Sequence, residues 1–290
     1  MSASPLPTRR DEAWKYSDLR AALADAPVPP MAGEGGVIER LAQGAGAATG
    51  RETSEEGEVF VDYVDGAGFA PRHETVHVGA GRRHHRIILQ TNPDVPLTST
   101  RVVLDEGATF RQFVLGEGGR LARIETTVEA GANAVIELKG VYLAAAGRHM
   151  DQTSVLKLTG PGGQARQLIK GVARKGGRGV FQGKIVVERA AQKTDARQYH
   201  HGMLLEDGAA IYAKPELMIF ADDVQCAHGN TSGGIDAQAL FYLRSRGLPE
   251  AEARTLLVEA FLLDALPDWA PPDVHEEIVG RIRVWLEARP

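Results

Sequence analysis

Cys226-Ala227-His228 sets a thiol and an imidazole two residues apart. In extended chain, positions i and i+2 project from the same face, so the two groups could approach one metal or sulfur species. Thiolate and imidazole are both good ligands for iron or zinc. Two ligands leave a transition-metal site incomplete, and a partner chain would have to supply the rest. The plainer alternative is a structural cysteine beside a loop histidine, because a small thiol also packs well in an apolar interior. An apolar strand expected over 215–224 precedes the pair, and the loop Gly229-Asn230-Thr231-Ser232-Gly233-Gly234 follows it. Cys226 is the only cysteine, which excludes an internal disulfide and any all-cysteine zinc or iron–sulfur site within one chain.

The other candidates carry less chemistry. Asp222 and Asp223 look like an acid/base pair, but neighbours in a strand point to opposite faces. They cannot flank one scissile bond as paired glycosidase carboxylates do, so a structural or interface role is the better reading. His73 and His77 share a face in a strand but lie too far apart for one metal. His84 and His85 sit in a basic run with Arg82, Arg83 and Arg86. For these and for His149, His200, His201 and His275, solvated or hydrogen-bonded side chains are the simplest account. No HExxH motif and no glycine-flanked serine elbow is present. Gly44 to Gly50 misses the dinucleotide spacing, and Gly179 to Ile185 lacks the P-loop spacing and its Ser/Thr. Both read as turns, and the chain itself is not expected to bind ATP.

These residues must be positioned by something. The chain has 290 residues, roughly two average domains, with 43% apolar and 24% charged residues. That composition excludes a chain disordered throughout. Lys plus Arg number 33 against 38 Asp plus Glu, a formal charge of −5, which argues against a general nucleic-acid binder. No stretch approaches the ~20 apolar residues of a membrane span, and no secretory signal is visible, so the expectation is a cytoplasmic chain without a membrane partner. Glycine is high at 33 residues and aromatics are few at 6%, which favours short strands and tight turns over a helical bundle.

Three regions follow. Residues 1–57 read as an N-terminal helical segment and loose connector, with Trp14 and Leu19 as anchors and a short helix near 37–41. Residues 58–235 carry period-two apolar runs separated by Gly, Pro, Asn and Asp, the strand-and-turn signature, with no sustained helical period up to residue 225. A doubly wound α/β sheet is therefore excluded. The motif acidic-x-Gly-Ala recurs at Gly107, Gly131 and Gly208, an echo of about 24 residues that suits a β-helix better than a β-sandwich. Residues 236–290 form a C-terminal helical module. Asp236 is the N-cap of its first helix and Gly247 the C′ residue; Pro249 fits the first turn of the second. The second helix carries the stripe Ala253, Leu256, Leu257, Ala260, Phe261. In the third, Asp273 and Glu276 form a capping box ahead of Val274, Ile278, Ile282, Trp285 and Leu286.

The run from Pro215 through Glu216-Leu217-Met218-Ile219-Phe220-Ala221-Asp222-Asp223-Val224-Gln225-Cys226-Ala227-His228-Gly229 resembles the signature of the SufB/SufD family. Thr231, Gly233, Ile235-Asp236 and Leu240 to Gly247 continue the resemblance, which reaches Phe261. Glu12-Ala13-Trp14-Lys15-Tyr16 and Ala191-Gln192-Lys193-Thr194-Asp195-Ala196 look like the same family. A single cysteine and the Cys-Ala-His arrangement are more like the SufD branch. The Trp14-Lys15-Tyr16 element begins earlier in the chain than is usual for the family.

The resemblance implies a mostly β protein, a right-handed parallel β-helix flanked by helical segments. It implies a non-enzymatic scaffold of the SufBCD iron–sulfur assembly complex, which pairs with a SufB-like homologue and docks the SufC ATPase. Cys226 and His228 would contribute ligands to a transient cluster shared with SufB, with none tightly bound by this chain alone. Leu217, Ile219 and Phe220 would lie at the subunit interface, where the isolated chain would pair with a second copy. Leu256, Leu257 and Phe261 would meet the ATPase. The alternative from a different class is a β-helix enzyme acting on carbohydrate, with carboxylates from different coils converging.

Overall fold

A computed structural model describes residues 6–23, 26–53 and 58–288. The period-two middle folds as a parallel β-solenoid of about six turns. Each turn lays one strand in each of two sheets. The first sheet runs β1 (Ala48–Thr53), β3 (Phe69–Val78), β5 (Val95–Leu104), β7 (Ala122–Ala130), β9 (His149–Leu158), β11 (Arg178–Val187) and β13 (Ala210–Ile219). The second holds β2 (Val59–Val64), β4 (Arg83–Gln90), β6 (Thr109–Gly116), β8 (Val135–Ala144), β10 (Gln164–Ala173), β12 (Asp195–Leu204) and β14 (Gln225–Gly233).

The corners explain the register. Gly81, Gly107, Asn133, Gly162 and Lys193 each precede a strand of the second sheet by two residues and all have φ between 55° and 71°. A left-handed residue recurs at this corner ahead of five successive strands, from β4 to β12, and glycine supplies it without a Cβ penalty. The equivalent of Gly107 is therefore Asn133, not Gly131, and Gly208 lies at the opposite corner, between β12 and β13. The 24-residue echo is corrected accordingly. Val102 pairs with Val128, 26 residues on, while Arg178 pairs with Ala210, 32 on, so the coil lengthens toward the C-terminus.

Inward side chains stack coil on coil. Val76, Val102, Val128, Leu156 and Ile185 form one apolar row, facing Phe110 and Ile136 of the other sheet. Gly171 and Gly179 make room for the buried Tyr142 ring: a Cβ would fall 1.9 Å and 2.2 Å from it. Gly179 to Ile185 is thus strand interior, not a turn.

Helices cover the outer faces. A 3-10 turn (Glu12–Trp14), α1 (Leu19–Ala22) and α2 (Val37–Gly44) pack on the first sheet through Trp14, Leu19, Ile38 and Leu41 against Val95 and Leu97. The spacing of Ile38, Leu41 and Ala42 gives α2 one apolar face. The stretch expected as a loose connector therefore contains this helix and β1, which starts the first sheet at Ala48. Three C-terminal helices follow: α3 (Ala237–Ser245), α4 (Glu250–Leu263) and α5 (Pro272–Glu287). Asp236 caps α3, its carboxylate accepting from the amides of Gln238 and Ala239, and Gly247 has φ 94°. Val274, Ile278, Ile282 and Leu286 of α5 pack on Ile87, Leu89, Phe113 and Leu115 of the second sheet, with Val258 and Leu262 of α4 beside them. The buried face of α4 is Ala253, Val258 and Leu262, so the expected stripe is rotated. Pro271, not Asp273, is the N-cap of α5, and no capping box forms.

Candidate functional site

The solenoid ends at β13 and β14. Each is hydrogen-bonded to one neighbour only, β11 and β12 respectively, so each leaves a free edge among the described residues. Unpaired backbone N–H and C=O groups on such an edge are a template for a strand from another chain. Met218, Ile219 and Phe220 at this end are 40%, 41% and 50% exposed, while Leu217 turns inward against the core. Of the expected interface residues, Ile219 and Phe220 are open and Leu217 is partly spent on the fold.

The polar run 225–233, expected in part as a loop, is strand. Its composition (Gln, Gly, Asn, Thr, Ser) carries little β propensity; parallel pairing with β12 makes it extended. In β12 the buried side chains are Ala196, Gln198, His200 and Gly202, the inward set. In register with them on β14 stand Cys226 opposite Ala196, His228 opposite Gln198 and Asn230 opposite His200. Cys226 and His228 thus share the inward-facing row at the mouth of the solenoid.

Their environments differ. Cys226 is half-buried and packs against the apolar core. Burial pushes its thiol above the usual range, offset in part by a backbone hydrogen bond at Ala196, with Asp195 raising it further. The thiolate is therefore scarce at neutral pH. His228 is exposed. Among the described residues no group of three or more His, Cys, Asp or Glu is gathered to hold a metal ion. A donor set of one thiol and one imidazole needs further ligands from outside.

Behind His228 lies a row the sequence reading did not single out. Registers link Arg86, Gln112, Leu138, Gln167 and Gln198 to His228 along one line of the second sheet. Gln198 donates to the Gly183 carbonyl at 3.1 Å. Next to it, His200 Nε2 meets the Tyr142 hydroxyl at 2.9 Å and His200 Nδ1 meets Asn230 Oδ1 at 2.7 Å. With Tyr142 donating to Nε2, the Nδ1–H donates to Asn230, which ties β14 to the interior. His200 also stacks on Phe181, centroids 5.0 Å apart. Burial pulls the His200 pKa down to about 4, and the imidazole is neutral. Only the full set of registers could have revealed this tie.

The remaining candidates are structural. His84 stacks between Phe60 and Phe110, at 4.8 Å and 5.9 Å, and Arg86 bonds Asp62 and Glu74 inside the solenoid, so the expected basic run is split between two faces. Asp222 and Asp223 are exposed, and Asp223 pairs with Lys193. On the helical module, Phe261 packs under the Lys170 ammonium at 4.6 Å and against the core, Leu257 is half-buried and Leu256 is 45% exposed. The more open apolar surface is on α3, where no residue is buried and Phe241 and Tyr242 are 73% and 56% exposed.

Comparison with known proteins places this geometry. Residues 60–261 match the family model described as the SUF system FeS cluster assembly, SufBD core domain. An iron–sulfur cluster assembly SufBD family protein of Synechocystis is 35% identical over 199 residues, covering 67% of this chain and 42% of that protein. The iron–sulfur cluster assembly protein SufD of Escherichia coli is 28% identical over 228 residues, 78% of this chain and 54% of its own length. The chloroplastic protein ABCI7 of Arabidopsis thaliana is 32% identical over 210 residues, 72% of this chain and 44% of its own. The chain spans about half the length of the curated relatives it matches. It belongs to the SufB/SufD family of iron–sulfur cluster assembly proteins.

Proposed function

We propose that this SufB/SufD-family chain is a SufD-like scaffold subunit, not an enzyme, which pairs at its open solenoid end with a SufB-like homologue and carries the SufC ATPase on its helical module. The observation that supports this most is the free edge of β14, with Cys226 and His228 in register on one face of it. A strand added there by another chain would bring that chain's ligands beside these two. The cargo is a nascent iron–sulfur cluster, and this chain would supply the exposed His228 first and the protonated, half-buried Cys226 second. In the absence of a homologue the same edge would accept a second copy. No helix of the described residues is long and apolar enough to cross a membrane, and a cytoplasmic complex is the setting in which these roles fit.

The test is co-purification. Co-expressed with a SufB-like homologue and SufC, the tagged chain should bring down both in fixed ratio. Recovery of the tagged chain alone would contradict the assignment.

A further inference from the structure

We propose that residues Glu12 to Tyr16 form a strap that holds β13, the edge strand of the first sheet, in the conformation its partner chain requires; this rests on the interface reading above. The strap crosses the outer face of four successive coils. On β7 and β9, Arg123 is wholly buried with its Nη1 2.7 Å from Asp151 Oδ2. The same Nη1 donates to the Ala13 carbonyl at 2.8 Å, and the Trp14 ring lies over the guanidinium at 4.4 Å. Ser17 Oγ donates to Asp151 Oδ2 at 2.5 Å. On β11, Gln182 Nε2 donates to the Ala13 carbonyl at 3.3 Å. On β13 the strap reaches the last coil: Tyr16 stacks on Tyr212 with centroids 5.3 Å apart, and Glu12 pairs with Lys214.

The chemistry divides into anchor and arm. Arg123, Asp151 and Trp14 are 0%, 0% and 4% exposed, so the anchor is a desolvated ion pair, its remaining hydrogen bonds shared between the solenoid's own Glu125 and Thr153 and, from the N-terminal segment, the Ala13 carbonyl and Ser17. An isolated surface ion pair contributes little, but Glu12–Lys214 and Tyr16–Tyr212 act together on a strand with only one hydrogen-bonded neighbour. Such a strand is where local opening concentrates. Phe220 N donates to Val187 O and Ala210 N to Gly177 O, so the even-numbered amides of β13 face β11 and the odd-numbered positions face the free edge. Pro215 is one of those, and it offers no donor there. The free edge thus lacks one donor at its centre while Ile211, Ala213, Leu217 and Ile219 keep theirs, and order imposed from the outer face holds those four in line. Glu12 and Tyr16 are positioning residues: their contacts are with Lys214 and Tyr212, and they act through β13.

The experiment uses the full chain. Glu12→Ala with Tyr16→Ala removes the arm and leaves Trp14 and the anchor. Amide hydrogen exchange is read over 210–219, with 149–158 as internal reference, and self-association is measured by sedimentation with a second copy as the probe. The expected result is at least tenfold faster exchange in β13, an unchanged reference strand and at least fivefold weaker association. Tyr16→Phe, which keeps the stacked ring, should restore both. Unchanged β13 exchange, or faster exchange with unchanged association, overturns the strap. If the wild-type chain does not self-associate and Phe220→Asp alters nothing, the interface reading fails instead, and the exchange data keep that failure distinct.

Discussion

His228 stands opposite Gln198 in the last register pair-row of the second sheet, and Gln198 is wholly buried while His228 is exposed. The inward line of the solenoid therefore runs out of coils at the imidazole. A side chain that would be interior in any earlier coil becomes a ligand candidate because no further coil covers it.

Phe220→Asp should weaken association at least tenfold without unfolding the chain. Phe220 is half exposed, so its replacement forfeits little core burial, yet it sets a charge on the surface a partner must desolvate. Sedimentation and a thermal melt check it: a midpoint within about 3 °C of wild type shows the fold intact, the shift expected of a change below ~1 kcal/mol in a chain this size.

For the ATPase surface, Phe241→Ala and Tyr242→Ala together should abolish SufC capture and leave stability unchanged, since neither side chain is buried. Phe261→Ala should instead cost about 2–3 kcal/mol, because its ring packs on the core. Deleting 237–290 is not a clean test. It would expose Ile87, Leu89, Phe113 and Leu115, which α4 and α5 cover. Pull-down and urea melts of the point variants separate the two effects.

Acid should destabilise the fold below neutrality. His84, His149 and His200 have pKa values pulled down to about 4 by burial, against 6.5 unfolded. The unfolded chain then binds more protons, so the stabilisation is complete above pH 6.5 and is lost as pH falls toward 4. A shift of that size is worth at most about 3 kcal/mol per histidine. Urea midpoints at pH 7 and pH 5 should differ, and His200→Gln, which cannot titrate, should narrow the difference. A midpoint independent of pH over that interval would contradict this account.

The strand content was legible in the sequence because alternation of the kind in residues 134–143 leaves one face for the interior. What escaped was polar. β12 and β14 contain His, Gln, Asn and Gly, and only their neighbours' registers make them strands. The corner residue was also concealed: Asn133 and Lys193 take the left-handed position that glycine marks elsewhere. The anchor of the N-terminal segment was half legible. Trp14 stood out as apolar, but Arg123, 110 positions from the Ala13 carbonyl that it grips, carries no local signal. The i, i+2 spacing alone put Cys226 and His228 on one face, as the register with β12 does, while the His200–Asn230 tie required the fold.

Lys193→Gly should stabilise the chain by about 0.5–1 kcal/mol. Lys193 holds φ 63° at a corner where three other coils use glycine, and a β-carbon there is strained. The lost pair with Asp223 is solvent-exposed and offsets little. Chemical denaturation of the variant against wild type measures it; a destabilised variant would show that the ion pair dominates.

The central claim is that His228 serves the cluster and not the fold. The decisive measurement is iron and acid-labile sulfide per complex after anaerobic reconstitution, for wild type and His228→Ala, each co-purified with the SufB-like homologue and SufC. The account predicts an intact His228→Ala complex holding less than a third of the wild-type iron and sulfide, with Cys226→Ala affected less. Equal iron and sulfide in the His228→Ala complex would contradict it, and would leave Cys226-Ala227-His228 as the structural end of β14.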